Sequence, residues 1–219
     1  MTARRFAIGR RTMLATAASA VLPAPAVHAQ GSASGVALVI GNSRYKWEAS
    51  LPNAKRDTAD VAASFQALRL KTELLQDAGL AAMRAAIERF VAAARGANIA
   101  MFYFAGHGAA SGSWGSQSFL VPEDADLSNP AALQTLVDVA TVHQPMKEAG
   151  HSLLLFDACR NNPSDGWRQG AAVRGAIFRS DQARDFAPNM VMLSSTAPGR
   201  IALDGPAGQN SPFCRAFHV

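Results

Sequence analysis

The sequence predicts an α/β domain built on a mostly parallel sheet, and three observations lead there. Unbroken apolar runs at residues 36–40, 99–104 and 153–156 have the length and continuity of strands buried on both faces. The segments between them place apolar residues at helical spacing, so strand and helix alternate. The composition, 49% hydrophobic and only 17% charged over 219 residues, is sufficient for one full core.

The first 29 residues read as a secretory signal. Arg10-Arg11-Thr12-Met13-Leu14 closes a basic segment, an apolar stretch runs to about Val21, and Val27-His28-Ala29 offers small residues before Gln30. The arginine pair followed by apolar residues is similar to a twin-arginine export signal, which implies a periplasmic or secreted protein. The apolar stretch is short and interrupted by Pro23 and Pro25, so no stable membrane anchor is expected once it is removed. Residues 30–35 link it to a domain over 36–219. Arg4, Arg5, Arg10 and Arg11 also account for most of the net charge of +5. Without these four of the 21 basic residues, 17 remain against 16 acids, which argues against a nucleic-acid partner.

The elements follow in order. After the strand at 36–40, Gly41, Asn42 and Pro52 mark a loop, and Val61, Phe65 and Leu68 mark a helix. Residues 71–75 form a short strand. Leu80, Met83, Ile87, Phe90, Val91 and Ala94 share one helical face that Gly96 terminates. Beyond the strand at 99–104, residues 109–117 are rich in Gly and Ser and read as a mobile loop, with a small edge strand at 118–122. Residues 133–149 read as a helix that Pro145 kinks or breaks. A strand from 151 carries the chain to Cys159, residues 161–188 are polar, and 189–193 form the last clear strand.

The chemistry gathers at strand ends. His107 sits between Gly106 and Gly108, Cys159 ends the run from His151, and Ser195 follows the last strand. In open parallel sheets ligands bind outside the carboxyl ends of the strands, so these ends converge on one rim. A thiol is only slightly ionised at neutral pH, and an imidazole is the group that activates it and protonates a leaving amine.

Tyr103-Phe104-Ala105-Gly106-His107-Gly108 and Asp157-Ala158-Cys159-Arg160-Asn161 resemble the two catalytic signatures of caspase-like cysteine peptidases, the group of caspases, metacaspases and their bacterial relatives. The spacing, 159 − 107 = 52, is similar to the separation of about 50 seen in caspases. Ser195-Thr196-Ala197-Pro198-Gly199 resembles the segment lining the substrate cleft, and Asn210-Ser211-Pro212-Phe213 the start of the helix that follows it.

The resemblance implies a three-layer α/β sandwich and a cysteine endopeptidase acting on peptides or proteins, with His107 and Cys159 catalytic and the backbone N–H groups of Gly108 and Cys159 facing the oxyanion. No third triad residue is evident. Because caspase-like domains continue through a further strand, a short last helix and a sheet lacking its final edge strand are expected. Asp157 and Asp204 stand where aspartate-specific caspases carry Gln and Arg, and Asp57 stands where metacaspases have an acid of their basic-residue pocket. Cleavage after Arg or Lys is therefore implied, with Asp57, Asp157 and Ser195 lining the substrate site. Each acid also has a plainer reading, Asp57 as a helix start and Asp157 as a cap of the following turn. Arg168, Arg174, Arg179 and Arg184 become candidate self-cleavage points.

No metal or cofactor motif is present. Some metacaspases need calcium, but Glu123, Asp124 and Asp126 read as a solvated acidic turn. Cys214 departs from the hydroxyl residue usual near that position, and it either pairs with Cys159 or leaves that thiol free. Three function classes stay open: an active peptidase, which the intact His107 and Cys159 favour; a non-catalytic caspase-like binding or scaffolding module; and a thiol hydrolase or transferase for other substrates.

Overall fold

The computed structural model describes residues 35–111, 117–129, 131–159, 187–195 and 204–217. Five parallel strands form its centre. β1 (Gly35–Gly41) lies between β2 (Lys71–Gln76) and β3 (Ile99–Ser111); β3 also pairs β6 (His151–Cys159), and β6 pairs β7 (Met190–Ser194). The order is β2-β1-β3-β6-β7. Among the described residues β7 has a partner on one side only.

The pleat assigns each strand residue to a layer. Leu38, Ile40, Phe102, Phe104, Leu154 and Phe156 face one side, where they pack with α2 (Leu80–Ala94) and α3 (Ala140–Met146). Ala37, Val39, Tyr103, Ala105 and Leu155 face the other, against α1 (Ala54–Ala67) and α4 (Pro212–Phe217). Gly41 lets α1 press on the sheet, since a Cβ there would stand 2.5 Å from Thr58 Cγ2. This is the mostly parallel α/β sandwich expected.

Three local expectations change. Residues 109–111 continue β3, which leaves the parallel sheet and pairs antiparallel with β4 (Gln117–Leu120). β4 is no edge, because its other side holds β5 (Val137–Asp138). The helix expected over 133–149 is divided into a 3₁₀ turn at Ala132–Thr135, then β5, then α3. Leu136 and Val137 are buried in either arrangement, so apolar spacing did not separate them. Asp138 makes the break, its carboxylate accepting the Ala140 N–H at 2.8 Å. Pro145 is accommodated in the last turn of α3. Leu68 caps α1 and is 64% exposed, outside the core.

Candidate active site

The site begins with the loop after β1. Buried Asn42 fastens that loop: its Nδ2 donates to the carbonyls of Ala78 (3.3 Å) and Val121 (3.1 Å), and its Oδ1 accepts the Ala78 N–H at 2.9 Å. The loop then brings Tyr45 and Ala49 to His107. The Tyr45 hydroxyl accepts the His107 backbone N–H at 2.8 Å, and the two rings lie 4.5 Å apart. Gly106 is required for this approach, because a Cβ there would sit 2.6 Å from that hydroxyl.

His107 is buried, and its Nε2 lies 2.8 Å from the Ala49 carbonyl oxygen. A carbonyl only accepts, so Nε2 carries a proton and the neutral ring presents Nδ1 as its acceptor. Nδ1 has no hydrogen-bond partner among the described residues. Burial pulls the His107 pKa below its ordinary value, opposed by the Ala49 contact and the negative charge of Asp204, which favours that neutral ring. Cys159 ends β6 as the register partner of His107. Neighbouring strands lie about 4.8 Å apart, so the two backbones meet where the parallel sheet ends. Gly108, one residue on, is buried and pairs Leu120 as β3 joins the antiparallel branch.

An acidic cluster adjoins this point on the α1 and α4 face. Asp157 precedes Cys159 by two residues, is register partner to small Ala105, and is 9% exposed. Its Oδ2 accepts the hydroxyls of Ser211 and, at 3.4 Å, Tyr103. Asp57, 1% exposed, accepts the Ser211 backbone N–H at 3.0 Å. Burial is the largest cause raising both pKa values, and Asp57 reaches about 6, with the charges of Asp157 and Asp204 adding to the rise. Asp204, also raised by burial, is near enough to His107 for the two charges to interact. Its loop is held by buried Asn53, whose Nδ2 donates to the Asp204 carbonyl at 2.7 Å and whose Oδ1 accepts the Gly208 N–H at 3.0 Å. Among the described residues no Lys or Arg pairs with any of the three acids.

This arrangement, an imidazole and a cysteine in register at the end of a parallel sheet of order 2-1-3-6-7, agrees with the family comparison. The family model described as the caspase domain matches residues 34–218. The chain belongs to the caspase-domain family. That membership makes it a peptidase-family domain, and such domains act on protein substrates. A crystal structure of protein GSU0716 from Geobacter sulfurreducens is similar in fold, with a TM-score of 0.56 at 15% identity, covering 83% of this chain and 79% of that one. No curated protein matches this chain.

Asp57 does stand at a helix start, in the first turn of α1, and its carboxylate also accepts the Ser211 N–H. Ser195 follows β7 and donates its N–H to Phe156 at 2.9 Å. Cys214 is a buried free thiol, 3.7 Å from the Asp57 carbonyl. Asp124 accepts the N–H of Leu80 at the start of α2, and Asp126 accepts that of Ser128, two residues on. The export signal, the four arginines and residues 196–199 lie outside the described residues. Sequence reading missed Tyr45, Ala49, Asn53 and the contacts of Ser211 with Asp57 and Asp157. Ala49 acts through its backbone and leaves no residue signature, whereas Asn53 could have been suspected as a polar residue at the foot of a helix.

Proposed function

We propose that the protein is a cysteine endopeptidase that cleaves after Arg or Lys through Cys159 and His107. The observation that carries the substrate class is the convergence of Asp57, Asp157 and Asp204, which no Lys or Arg pairs among the described residues. A guanidinium or ammonium entering there relieves their mutual repulsion, whereas an aspartyl side chain adds to it.

In this reading Nδ1 of His107 takes the Cys159 thiol proton, and the thiolate attacks the scissile carbonyl carbon. The oxyanion faces the N–H groups of Gly108 and Cys159. As the C–N bond breaks, the imidazolium returns its proton to the leaving amine. The neutral ring then accepts a proton from water as its oxygen bonds to the acyl carbon; the C–S bond breaks, the carboxyl product leaves, and the imidazolium returns its proton to the Cys159 thiolate. The Ala49 carbonyl supplies the orientation and tautomer control that a third side chain gives elsewhere. No metal enters these steps. The signal at residues 1–29 supports action outside the cytoplasm.

Matched arginyl, lysyl and aspartyl peptides decide the matter. Wild-type protein is expected to cleave the first two, and Cys159→Ala none. Preference for aspartate overturns the pocket, and activity surviving Cys159→Ala overturns the mechanism.

A further inference from the structure

We propose that Ser211 is the positioning residue of the basic-residue pocket, the clip through which the start of α4 sets the spacing of Asp57 and Asp157. This rests on the pocket reading above.

The two acids belong to separate elements, α1 and β6, and like charges in a buried site drive each other apart or into protonation. Ser211, 2% exposed, touches both. Its N–H donates to Asp57 Oδ1 at 3.0 Å and its hydroxyl donates to Asp157 Oδ2. The hydroxyl also accepts the Cys214 N–H at 2.9 Å, the N-cap contact of α4. A hydroxyl has one proton, so the Cys214 contact uses a lone pair and leaves that proton for Asp157. The chain Cys214 N–H, Ser211 O–H, Asp157 therefore runs in one direction and favours the ionised carboxylate, the form that pairs with a guanidinium. α4 is bolted to α1 by a further contact, Asn210 Nδ2 to Asp60 Oδ2 at 2.6 Å, so the clip stands on a fixed base.

Ser211→Ala deletes the hydroxyl and keeps the N–H to Asp57. Calorimetric titration of the full chain with benzamidine at pH 8 is expected to show binding weakened about tenfold in Ser211→Ala, the scale of a hydrogen bond to a charged group. Ser211→Thr, which keeps the hydroxyl, should stay within about threefold of wild type. Ser211→Gly, the substitution an N-cap tolerates best, replaces Ser211→Ala should the latter fail to fold. The cycle with Asp157→Asn separates positioning from general packing: in that background removal of the hydroxyl should weaken benzamidine no further. Undiminished binding in the hydroxyl-less variant, or the same loss with and without Asp157, overturns the assignment while leaving the pocket standing. Failure of wild-type protein to bind benzamidine overturns the pocket reading and the role of Ser211 with it.

Discussion

Replacing Asp157 by Asn separates the charge of the pocket from its architecture. The amide is isosteric, and its oxygen can still accept from Ser211 and Tyr103, so the packing beside Ala105 is retained. What disappears is one buried negative charge of the proposed substrate pocket. Losing one partner of a buried charge pair costs about 2–5 kcal/mol, or roughly 30-fold to several thousandfold in kcat/KM for an arginyl peptide. A citrullyl peptide, the same shape without the charge, should lose far less.

Stability should move in the opposite sense. Burial raises the Asp157 pKa, so the folded state holds that proton more tightly than the unfolded chain. As pH rises from the ordinary carboxylate range through the raised value, the wild-type fold loses stability that the variant, with its neutral amide, keeps. Urea denaturation should therefore find Asp157→Asn at least as stable as wild type at pH 8, with any advantage shrinking toward pH 4. Equal losses on arginyl and citrullyl peptides, or a variant clearly less stable at pH 8, would make Asp157 a structural cap and not a charged wall of the pocket.

Asp57 titrates near 6, so below that pH it is protonated and a cationic substrate must displace the proton. kcat/KM for arginyl relative to citrullyl peptides should fall by up to about tenfold per pH unit below 6 in wild type, and more shallowly in Asp57→Asn. Gly106→Ala puts a Cβ 2.6 Å from the Tyr45 hydroxyl and 2.8 Å from Phe104 Cζ; the forced shift should cost about 1–3 kcal/mol in thermal or urea unfolding and slow cleavage of every substrate alike. Tyr45→Phe strands the buried His107 N–H, with an expected loss of about 1–3 kcal/mol by the same unfolding assay. N-terminal sequencing of protein recovered outside the cytoplasm should begin near Gln30; intact Met1 on cytoplasmic protein contradicts the export reading.

The strands were legible because both faces of the parallel sheet are covered, which leaves uninterrupted apolar runs such as residues 99–104. The same runs also located His107 and Cys159, since a strand end is where the apolar pattern stops. Periodicity failed over residues 133–149, where Leu136 and Val137 satisfy a helix and a short strand equally. It failed again after His107, where small residues that suit a loop instead extend β3 into a hairpin arm. The acidic pocket was half legible. Asp57, Asp157 and Asp204 could be picked out by resemblance, but their meeting depends on Asn53 and Ser211, 158 positions apart and joined only by the fold.

The two cysteines let cleavage chemistry at Cys159 be tested directly. Cys214 is buried and its pKa is pushed far up, first by burial and then by the charge of Asp57, so it should be inert. Wild-type protein should be treated with arginyl and aspartyl peptides bearing a thiol-reactive acyloxymethyl ketone, digested and analysed by mass spectrometry. A single adduct is expected, on Cys159, formed faster with the arginyl reagent and lost in His107→Ala. A label on Cys214, or faster modification by the aspartyl reagent, would contradict cleavage after Arg or Lys through Cys159.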